Sequence, residues 1–188
     1  NDRGVAADAD NAVAAAFAAW QDDTNDGKKS LMLAPDNAMV DDMNSRAQAY
    51  RLGEGSVRLD KSVAVRGGHD AGIADIIVTR QNDSSLVVEG DTNSPFVVNG
   101  ARWVVDSIDK DGGVSASSLT GTGQVYLPSE YVRANVQLGY AVTVHRAQGA
   151  TVDTAHAVLT PDTSRNSAYV AMTRGKHLNM AYVVTDDS

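Results

Sequence analysis

The sequence predicts a three-layer α/β domain that is interrupted by a small antiparallel β-barrel. Helix and strand patterns alternate in the first and last thirds of the chain, which is typical of a layered α/β domain. Between them, residues 62–127 contain only short strand patterns separated by turn residues. We therefore expect a discontinuous α/β domain, residues 1–61 and 128–188, with an insert at 62–127.

The first part of the chain is predicted to fold as helix, strand and helix. Its opening segment is rich in Ala, and Val13, Phe17 and Trp20 share one helical face. A short apolar run then predicts a buried strand, and a Pro-Asp pair favours a second helix start. The predicted elements are a helix at 5–20, a polar turn at 22–29, a strand at 30–34 and a helix from 35 to about 53.

The middle of the chain predicts the barrel. Asn99-Gly100 lies between apolar runs and predicts a hairpin, since both residues tolerate the positive φ of a type I′ turn. His69-Asp70 is flanked by Gly and is interpreted as a polar turn rather than a metal pair. The predicted strands are 63–65, 76–79, 86–88, 96–98, 103–108, 114–119 and 124–127.

The last part returns to the α/β pattern. It predicts helices at 129–136 and 164–174 and strands at 140–144, 155–159 and 180–185. Trp20 and Trp103 are predicted to be core residues. Asp186-Asp187, which follow the final apolar run, are interpreted as a frayed terminus rather than metal ligands.

Composition limits the possible functions. The 188 residues include 16 Lys and Arg against 24 Asp and Glu, a net charge of −8. Only residues 129–188 are balanced, with five of each, so a local phosphate-binding face is possible there but a wide basic nucleic-acid surface is not. The absence of Cys excludes thiolate metal sites and a thiol nucleophile.

The apolar runs are too short to cross a bilayer. The chain begins without Met and without a signal pattern, which leads us to expect a cytoplasmic piece of a longer protein. Gly27-Lys28-Lys29-Ser30 lacks the glycine spacing of a phosphate-binding loop and is interpreted as a solvated turn.

Two segments carry the strongest functional signal. In the first, residues 140–153, an apolar strand leads into a loop rich in hydrogen-bond donors, at a strand's carboxyl end where open α/β sheets bind ligands. In the second, residues 169–176, a predicted helix ends in Thr-Arg-Gly-Lys. Arg174 and Lys176 suit phosphate, because Arg donates bidentately and Lys adds a point charge.

These segments resemble two motifs of superfamily 1 DNA helicases of the exonuclease V alpha-subunit (RecD-like) type, in particular the helicase half of conjugative relaxases of the TraA type. The run Thr143-x-His145-x-x-Gln148-Gly149-x-Thr151-x-Asp153 resembles motif V, and Tyr169-Val-Ala-x-Thr173-Arg174-Gly-Lys176 resembles motif VI. Residues 30–34 and the following helix with Asn44 are more loosely similar to motif IV. The resemblance implies a RecA-like second motor domain, of the P-loop NTPase fold, with an SH3-like barrel inserted.

The resemblance also implies roles for individual residues. Arg174 would be the catalytic residue, as an arginine finger directed at the γ-phosphate of ATP. The implied ATP-binding residues are Gln148, Gly149, Thr151, Arg174 and Lys176, and the implied DNA-binding residues are Thr143, His145, Arg80, Asn82 and Asn99.

The expected partners are single-stranded DNA, a first motor domain and other conjugation proteins. ATP and Mg²⁺ would bind the intact helicase, with Mg²⁺ on the first motor domain, and we expect no metal site in this chain. Without Walker A and B motifs, the chain alone is expected not to hydrolyse ATP.

Two alternatives remain open at this point. The acidic charge and the missing Walker motifs would also suit a degenerate motor domain that serves as a non-catalytic protein-interaction module. An unrelated enzyme acting on phosphate esters is the third possibility, although the sequence shows no metal cluster or nucleophile for it.

Overall fold

The computed structural model describes residues 4–185 and divides the chain into two compact units. The sheet unit comprises the chain up to Ala47 together with the residues from Tyr140 onward. The barrel unit comprises Gln48–Gly139 and contains the whole of the predicted insert.

The sheet unit is built on a five-stranded, fully parallel sheet with the order β1-β14-β13-β2-β12. The central strand β13 and its neighbour β2 are almost entirely buried, as expected for a parallel sheet covered on both faces. The elements of this unit are β1 (Gly4–Ala7), α1 (Ala9–Asn25), β2 (Ser30–Ala34), α2 (Asn37–Gly53, which continues into the barrel unit), β12 (Ala141–Thr143), a 3₁₀ turn (Val144–Ala147), β13 (Val152–Leu159), α4 (Arg165–Ala171) and β14 (Gly175–Val184).

The first predicted helix starts later than expected. Residues 4–7 form β1, which pairs in parallel with β14, and α1 begins after Asp8. The Asp8 carboxylate accepts the Asn11 amide at 2.8 Å, which is an N-cap contact. The Ala-rich composition concealed this strand, because Ala has a high helix propensity. At its other end α1 runs to Asn25, so the predicted polar turn is shorter than 22–29.

The barrel unit is antiparallel. Its main sheet has the order β10-β9-β8-β5-β11, and two further pairs, β3-β4 and β6-β7, complete it. The buried Trp103 confirms the predicted core role in this unit, as Trp20 does in the sheet unit. The elements are β3 (Arg58–Val65), β4 (His69–Ile73), β5 (Ile76–Thr79), β6 (Asp83–Val87), β7 (Phe96–Val97), β8 (Arg102–Ile108), β9 (Val114–Ser118), β10 (Gln124–Leu127), α3 (Ser129–Asn135) and β11 (Val136–Leu138).

Two expectations for this unit are wrong. His69 and Asp70 begin strand β4 instead of forming a turn. At Asn99-Gly100 the positive φ belongs to Gly100 alone, so the turn is not of type I′. The Ala101 amide donates to Val98 O at 3.3 Å, and β7 pairs with β6 rather than with β8. The short chain between β7 and β8 is therefore a bend between two sheets, not a hairpin.

The end of the chain also differs from expectation. Helix α4 is shorter than predicted and ends at Ala171, so Arg174 lies in the turn that follows it. Strand β14 begins at Gly175, five residues earlier than predicted, and includes Lys176. A Cβ at Gly175 would collide with the Leu178 carbonyl oxygen, so this close approach of the backbone requires glycine. Asp186 and Asp187 lie outside the described residues.

Candidate functional site: a loop and an arginine beside the parallel sheet

The motif V segment runs from the carboxyl ends of the parallel strands back to their amino ends. Strands β12 and β13 both run parallel to β2, with Thr143 beside Ala34 and Thr154 beside Ser30. The chain that joins the end of β12 to the start of β13 must therefore return along the sheet. Thr143 lies at the carboxyl end of its strand, whereas the last residues of the loop lie at the amino end of β13.

This path corrects part of the sequence-based expectation. The loop does open at the carboxyl end of a strand, as predicted. Its Gln148–Thr151 portion, however, leads into the amino ends of β13 and β14, where the Val152 amide donates to Arg174 O at 3.1 Å. The ends of the two motifs lie side by side at the amino ends of β13 and β14, because these two strands are adjacent.

The Arg174 side chain connects the two motifs. Nη1 donates long hydrogen bonds to the carbonyl oxygens of Ala147 and Ala150, at 3.3 and 3.5 Å, both in the motif V loop. Nε donates to Val170 O at 2.9 Å, which anchors the stem to the last turn of α4. Nη2 donates to Thr173 Oγ1 at 3.0 Å. These contacts hold a half-buried guanidinium in one orientation beside the loop.

The geometry around Arg174 leaves it able to bind an anion. Its acceptors are neutral carbonyl and hydroxyl oxygens, and no carboxylate of the described residues pairs with it. The full positive charge is therefore not neutralised within the described chain. Since Nη2 carries two N–H groups and one is used for Thr173, a further donor is available for a ligand.

The other predicted nucleotide and DNA contacts of this unit are mostly solvent-exposed. Thr143 is buried, whereas the predicted contacts that follow it lie at the surface. Gly149 has φ +89°, a conformation that other residues adopt only with strain, and the position is open to solvent. The exposed members of the predicted set are His145, Gln148, Gly149, Thr151 and Lys176.

Three residues that the sequence did not mark as binding residues fix this segment in place. Asn44 on α2 bonds the backbone of Ala141 twice, accepting from N at 2.8 Å and donating to O at 3.4 Å. Asp153 accepts the Lys29 amide at 2.8 Å, and Asn179 makes two bonds to the Gly175 backbone, at 2.7 and 2.8 Å. Asn44 and Asp153 belong to the segments that resemble motifs IV and V, but the sequence pattern did not predict what either side chain contacts.

A buried polar network lies within the same unit. His156 on β13 contacts the Asp23 carboxylate through Nε2 at 2.7 Å and the Tyr182 hydroxyl through Nδ1 at 3.0 Å. Lys28 donates to the other Asp23 oxygen at 2.7 Å. The sequence gave no signal for this network, because its members come from α1, a turn and two strands that are far apart along the chain.

The charges in this network follow from burial and pairing. Burial alone raises the pKa of Asp23, but hydrogen bonds from Lys28 and from neighbouring groups outweigh burial and keep that pKa below its ordinary value. Burial lowers the pKa of His156 against the opposing effect of Asp23. Burial, assisted by the Asp23 charge, raises the pKa of Tyr182 to about 12. A neutral His156 therefore donates a hydrogen bond from Nε2 to Asp23 and accepts one at Nδ1 from the Tyr182 hydroxyl.

The predicted DNA contacts of the barrel fall in one region of the barrel unit. Asn82 Oδ1 accepts the Asn99 backbone amide at 2.7 Å, so two residues placed on separate turns by the sequence are adjacent. Arg80 Nε donates to Gln137 Oε1 at 2.6 Å, which holds its stem. The structure thus brings Asn82 and Asn99 together.

Two features are absent from residues 4–185. No group of three or more His, Asp or Glu side chains in this range is placed to hold a metal ion. No helix in the same range is long and apolar enough to cross a membrane.

The barrel matches a described family. Residues 63–137 match the model of the Rv2311 SH3-like barrel domain. The uncharacterized protein Rv2311 of Mycobacterium tuberculosis is 40% identical over 88 residues, covering 46% of this chain and 51% of that protein. This finding agrees with the SH3-like insert expected from the motif resemblance.

The similarity to helicases extends through both units. The ATP-dependent RecD2 DNA helicase of Deinococcus radiodurans is 36% identical over 143 residues, covering 73% of this chain and 17% of that protein. The probable conjugal transfer protein TraA of Sinorhizobium fredii is 29% identical over 164 residues, covering 87% of this chain and 14% of that protein. The chain thus spans between one seventh and about half of the length of these relatives.

Solved structures show the same fold. A Pif1 helicase from Bacteroides, crystallised with ADP-AlF3 and single-stranded DNA, superposes with a TM-score of 0.52 over 85% of this chain and 41% of that one, at 17% identity. The fold is therefore a RecA-like α/β domain with an inserted SH3-like barrel. Over most of its length the chain is similar to a segment of the RecD2 helicase and to a segment of the TraA protein.

Proposed function

We propose that this chain is the second motor domain of a longer ATP-dependent DNA helicase of the conjugative-transfer type. In this proposal Arg174 is the arginine finger, and Gln148, Gly149, Thr151 and Lys176 contribute further contacts to ATP. The observation that supports it most is the position of Arg174, which is fixed against the motif V carbonyls and has no carboxylate partner among residues 4–185.

The donor set suits a nucleotide phosphate. The loop, the turn after α4 and the start of β14 offer a guanidinium, an ammonium, a side-chain amide and an exposed glycine backbone. All of these donate or tolerate close approach, which is what a phosphate needs. ATP and Mg²⁺ would supply the transferable phosphoryl group and its metal, with Mg²⁺ placed on the first motor domain of the same protein.

The role of Arg174 is stabilisation of developing charge. A guanidinium held in advance by Val170 O and Thr173 Oγ1 requires little reorganisation when negative charge grows on the transferring phosphate. Its long bonds to Ala147 and Ala150 are weak enough to be exchanged for phosphate oxygens. An arginine in this role contributes about 10³–10⁵ in rate.

In this proposal the motif V loop connects the nucleotide site to the DNA-binding site. Thr143 and His145, at the start of the loop, are proposed to contact single-stranded DNA, and Ala150, near the end of the loop, accepts a bond from Arg174. In the barrel unit Arg80, Asn82 and Asn99 are proposed as further contacts to the strand. The protein would act in the cytoplasm, with the first motor domain and other conjugation proteins as partners.

The experiment is a kinetic comparison in the full helicase. Arg174→Ala is expected to reduce DNA-stimulated ATP hydrolysis by about 10³-fold or more while ATP binding changes little. Arg165→Ala removes an exposed Arg from α4, the helix that precedes Arg174, and is the matched control, expected to retain activity. Loss of ATP binding and turnover in the same proportion in Arg174→Ala would make Arg174 a structural residue and overturn the assignment.

A further inference from the structure

Thr173 directly precedes Arg174 and is hydrogen-bonded to its side chain. The Thr173 hydroxyl lies 3.1 Å from the carbonyl oxygens of both Tyr169 and Val170 in the last turn of α4, and its single proton is donated to them. A hydroxyl that donates its proton to the backbone keeps its lone pairs for other donors. Thr173 Oγ1 uses one of them to accept the bond from Arg174 Nη2 at 3.0 Å.

The two oxygens on this side match one edge of the guanidinium. The Nε–H group of an arginine is parallel to one N–H of Nη2, which allows a bidentate bond to two neighbouring oxygens. Val170 O accepts from Arg174 Nε at 2.9 Å, and Thr173 Oγ1, which accepts from Nη2, lies 3.1 Å from Val170 O. This uncharged pair of oxygens therefore binds the guanidinium edge as a carboxylate would, but without neutralising it.

The contacts on the opposite side hold the guanidinium less firmly. Nη1 bonds Ala147 O and Ala150 O at 3.3 and 3.5 Å, which is longer than the usual N–H···O distance. If these bonds are exchanged for phosphate oxygens, only Val170 O and Thr173 Oγ1 still orient the side chain. A single bond to Val170 O would permit rotation about that N–H···O axis, and the second bond to Thr173 prevents it.

The side chain of Thr173 suits this role. A β-branched side chain has few χ1 conformers, and bonding to the carbonyls three and four residues earlier selects one of them. Thr173 is solvent-exposed, so loss of its hydroxyl opens no cavity in the core. A role limited to completing the end of α4 would explain the bonds to the helix carbonyls, but not the bond from Arg174.

We propose that Thr173 is the positioning residue of Arg174: its hydroxyl, held by the last turn of α4, orients the second N–H of Nη2 toward the transferring phosphate. This inference rests on the proposed function and adds to it a residue that acts through Arg174 without touching ATP. A wrongly oriented guanidinium still contributes positive charge to the site, so turnover is expected to fall while the affinity for ATP changes little.

The first experiment measures the orientation of Arg174 in the 188-residue chain, without ATP or DNA. The two protons of Nη2 give separate signals in ¹⁵N–¹H spectra when a hydrogen bond slows their exchange by rotation, and the Arg174→Lys spectrum identifies these signals. We expect separate signals in the wild type and in Thr173→Ser, and averaged signals in Thr173→Val, which keeps the shape but lacks the hydroxyl. The backbone amide spectrum of each variant verifies the fold.

Two results of this experiment would overturn the proposal. Averaged Nη2 signals in the wild type would mean that Arg174 is not held. Separate signals in Thr173→Val would mean that Arg174 is held without the Thr173 hydroxyl.

The second experiment measures turnover in the full helicase. Thr173→Val is expected to lower kcat for DNA-stimulated ATP hydrolysis about tenfold or more, with KM for ATP changed less than about twofold. Thr173→Ser is expected to stay within about threefold of the wild-type kcat, because it retains the hydroxyl. Thr120→Val makes the same change at an exposed position of the barrel unit, and it is expected to alter kcat by less than about twofold.

A double variant separates this proposal from the proposed function. If Thr173 acts through Arg174, Thr173→Val in an Arg174→Ala background lowers kcat by less than about twofold further. A further loss of about tenfold in that background would overturn the positioning role, as would a higher KM with unchanged kcat or equal losses in Thr173→Ser and Thr173→Val.

The single variants show which of the two proposals fails. Unchanged turnover in Thr173→Val, together with a large loss in Arg174→Ala, would overturn the positioning role alone. Unchanged turnover in Arg174→Ala would overturn the proposed function and this inference with it.

Discussion

The sheet unit and the barrel unit place their charged residues differently. In the sheet unit, Asp23 and His156 are buried in a shared network with Tyr182, and Arg174 is fixed by backbone carbonyls. In the barrel unit most acidic residues are at the surface, and the buried carboxylate of Asp75 is satisfied by the Gly72 amide and Gln48. Each unit therefore buries a carboxylate among internal hydrogen bonds. The difference is that Asp23 is bonded to a Lys and a His side chain, whereas Asp75 accepts from a backbone amide and a Gln side chain.

Among tests of this contrast, Asp23→Ala is expected to have the largest effect on the free energy of unfolding. The substitution leaves the Nε2 proton of His156 buried without its acceptor and removes the partner of Lys28. We expect a loss of about 3 kcal/mol in the free energy of unfolding. Urea unfolding followed by Trp20 fluorescence, in a Trp103→Phe background, measures this in the sheet unit.

The control for this prediction is the neighbouring carboxylate. Asp22 is exposed on the same helix, and Asp22→Ala is expected to change the free energy of unfolding by less than about 0.5 kcal/mol. If the two substitutions cost the same, the network does not stabilise the sheet unit and the contrast between the units fails.

A smaller effect is expected in the pH dependence of stability. Because burial lowers the pKa of His156, the unfolded chain binds this proton more readily than the folded chain near neutral pH. The contribution of His156 is therefore present above its unfolded pKa of about 6.5 and is lost as the pH falls from there toward the lower folded value. The expected slope is at most about 1.4 kcal/mol per pH unit.

Urea unfolding between about pH 7.5 and about pH 5.5 measures this slope. His156→Gln is expected to remove the slope that His156 contributes, whereas His145→Gln, at an exposed position, should retain it. A wild-type slope that persists in His156→Gln would mean that a different group causes the pH dependence.

The comparison also shows what sequence patterns can predict. Buried runs such as Ser30–Ala34 and Ile76–Thr79 were assigned correctly, because a short continuous apolar run bounded by turn residues indicates a buried strand. Residues 4–7 and 136–138 were not recognised as strands, since their pairing partners β14 and β5 are distant in sequence. Local propensity cannot supply such pairings.

The candidate site was predictable to a similar degree. The motif spacing singled out the segment that contains Arg174, but the sequence assigned Arg174 to a helix, whereas the structure places it in the turn after α4. Only the folded chain shows that Arg174 contacts Ala147 and Ala150. The Asp23–His156–Tyr182 network likewise arises from tertiary packing, which no local pattern encodes.

The central claim is that Arg174 acts on the transferring phosphate, and it can be tested by the binding of a transition-state analogue. In the full helicase with Mg²⁺, the affinities for ADP and for ADP with aluminium fluoride should be compared between wild type and Arg174→Lys. Lys keeps the charge but cannot reproduce the guanidinium fork. We predict that the variant loses about 10³-fold in affinity for the analogue and less than about twofold for ADP. An equal loss for both ligands, or no loss for either, would contradict the account.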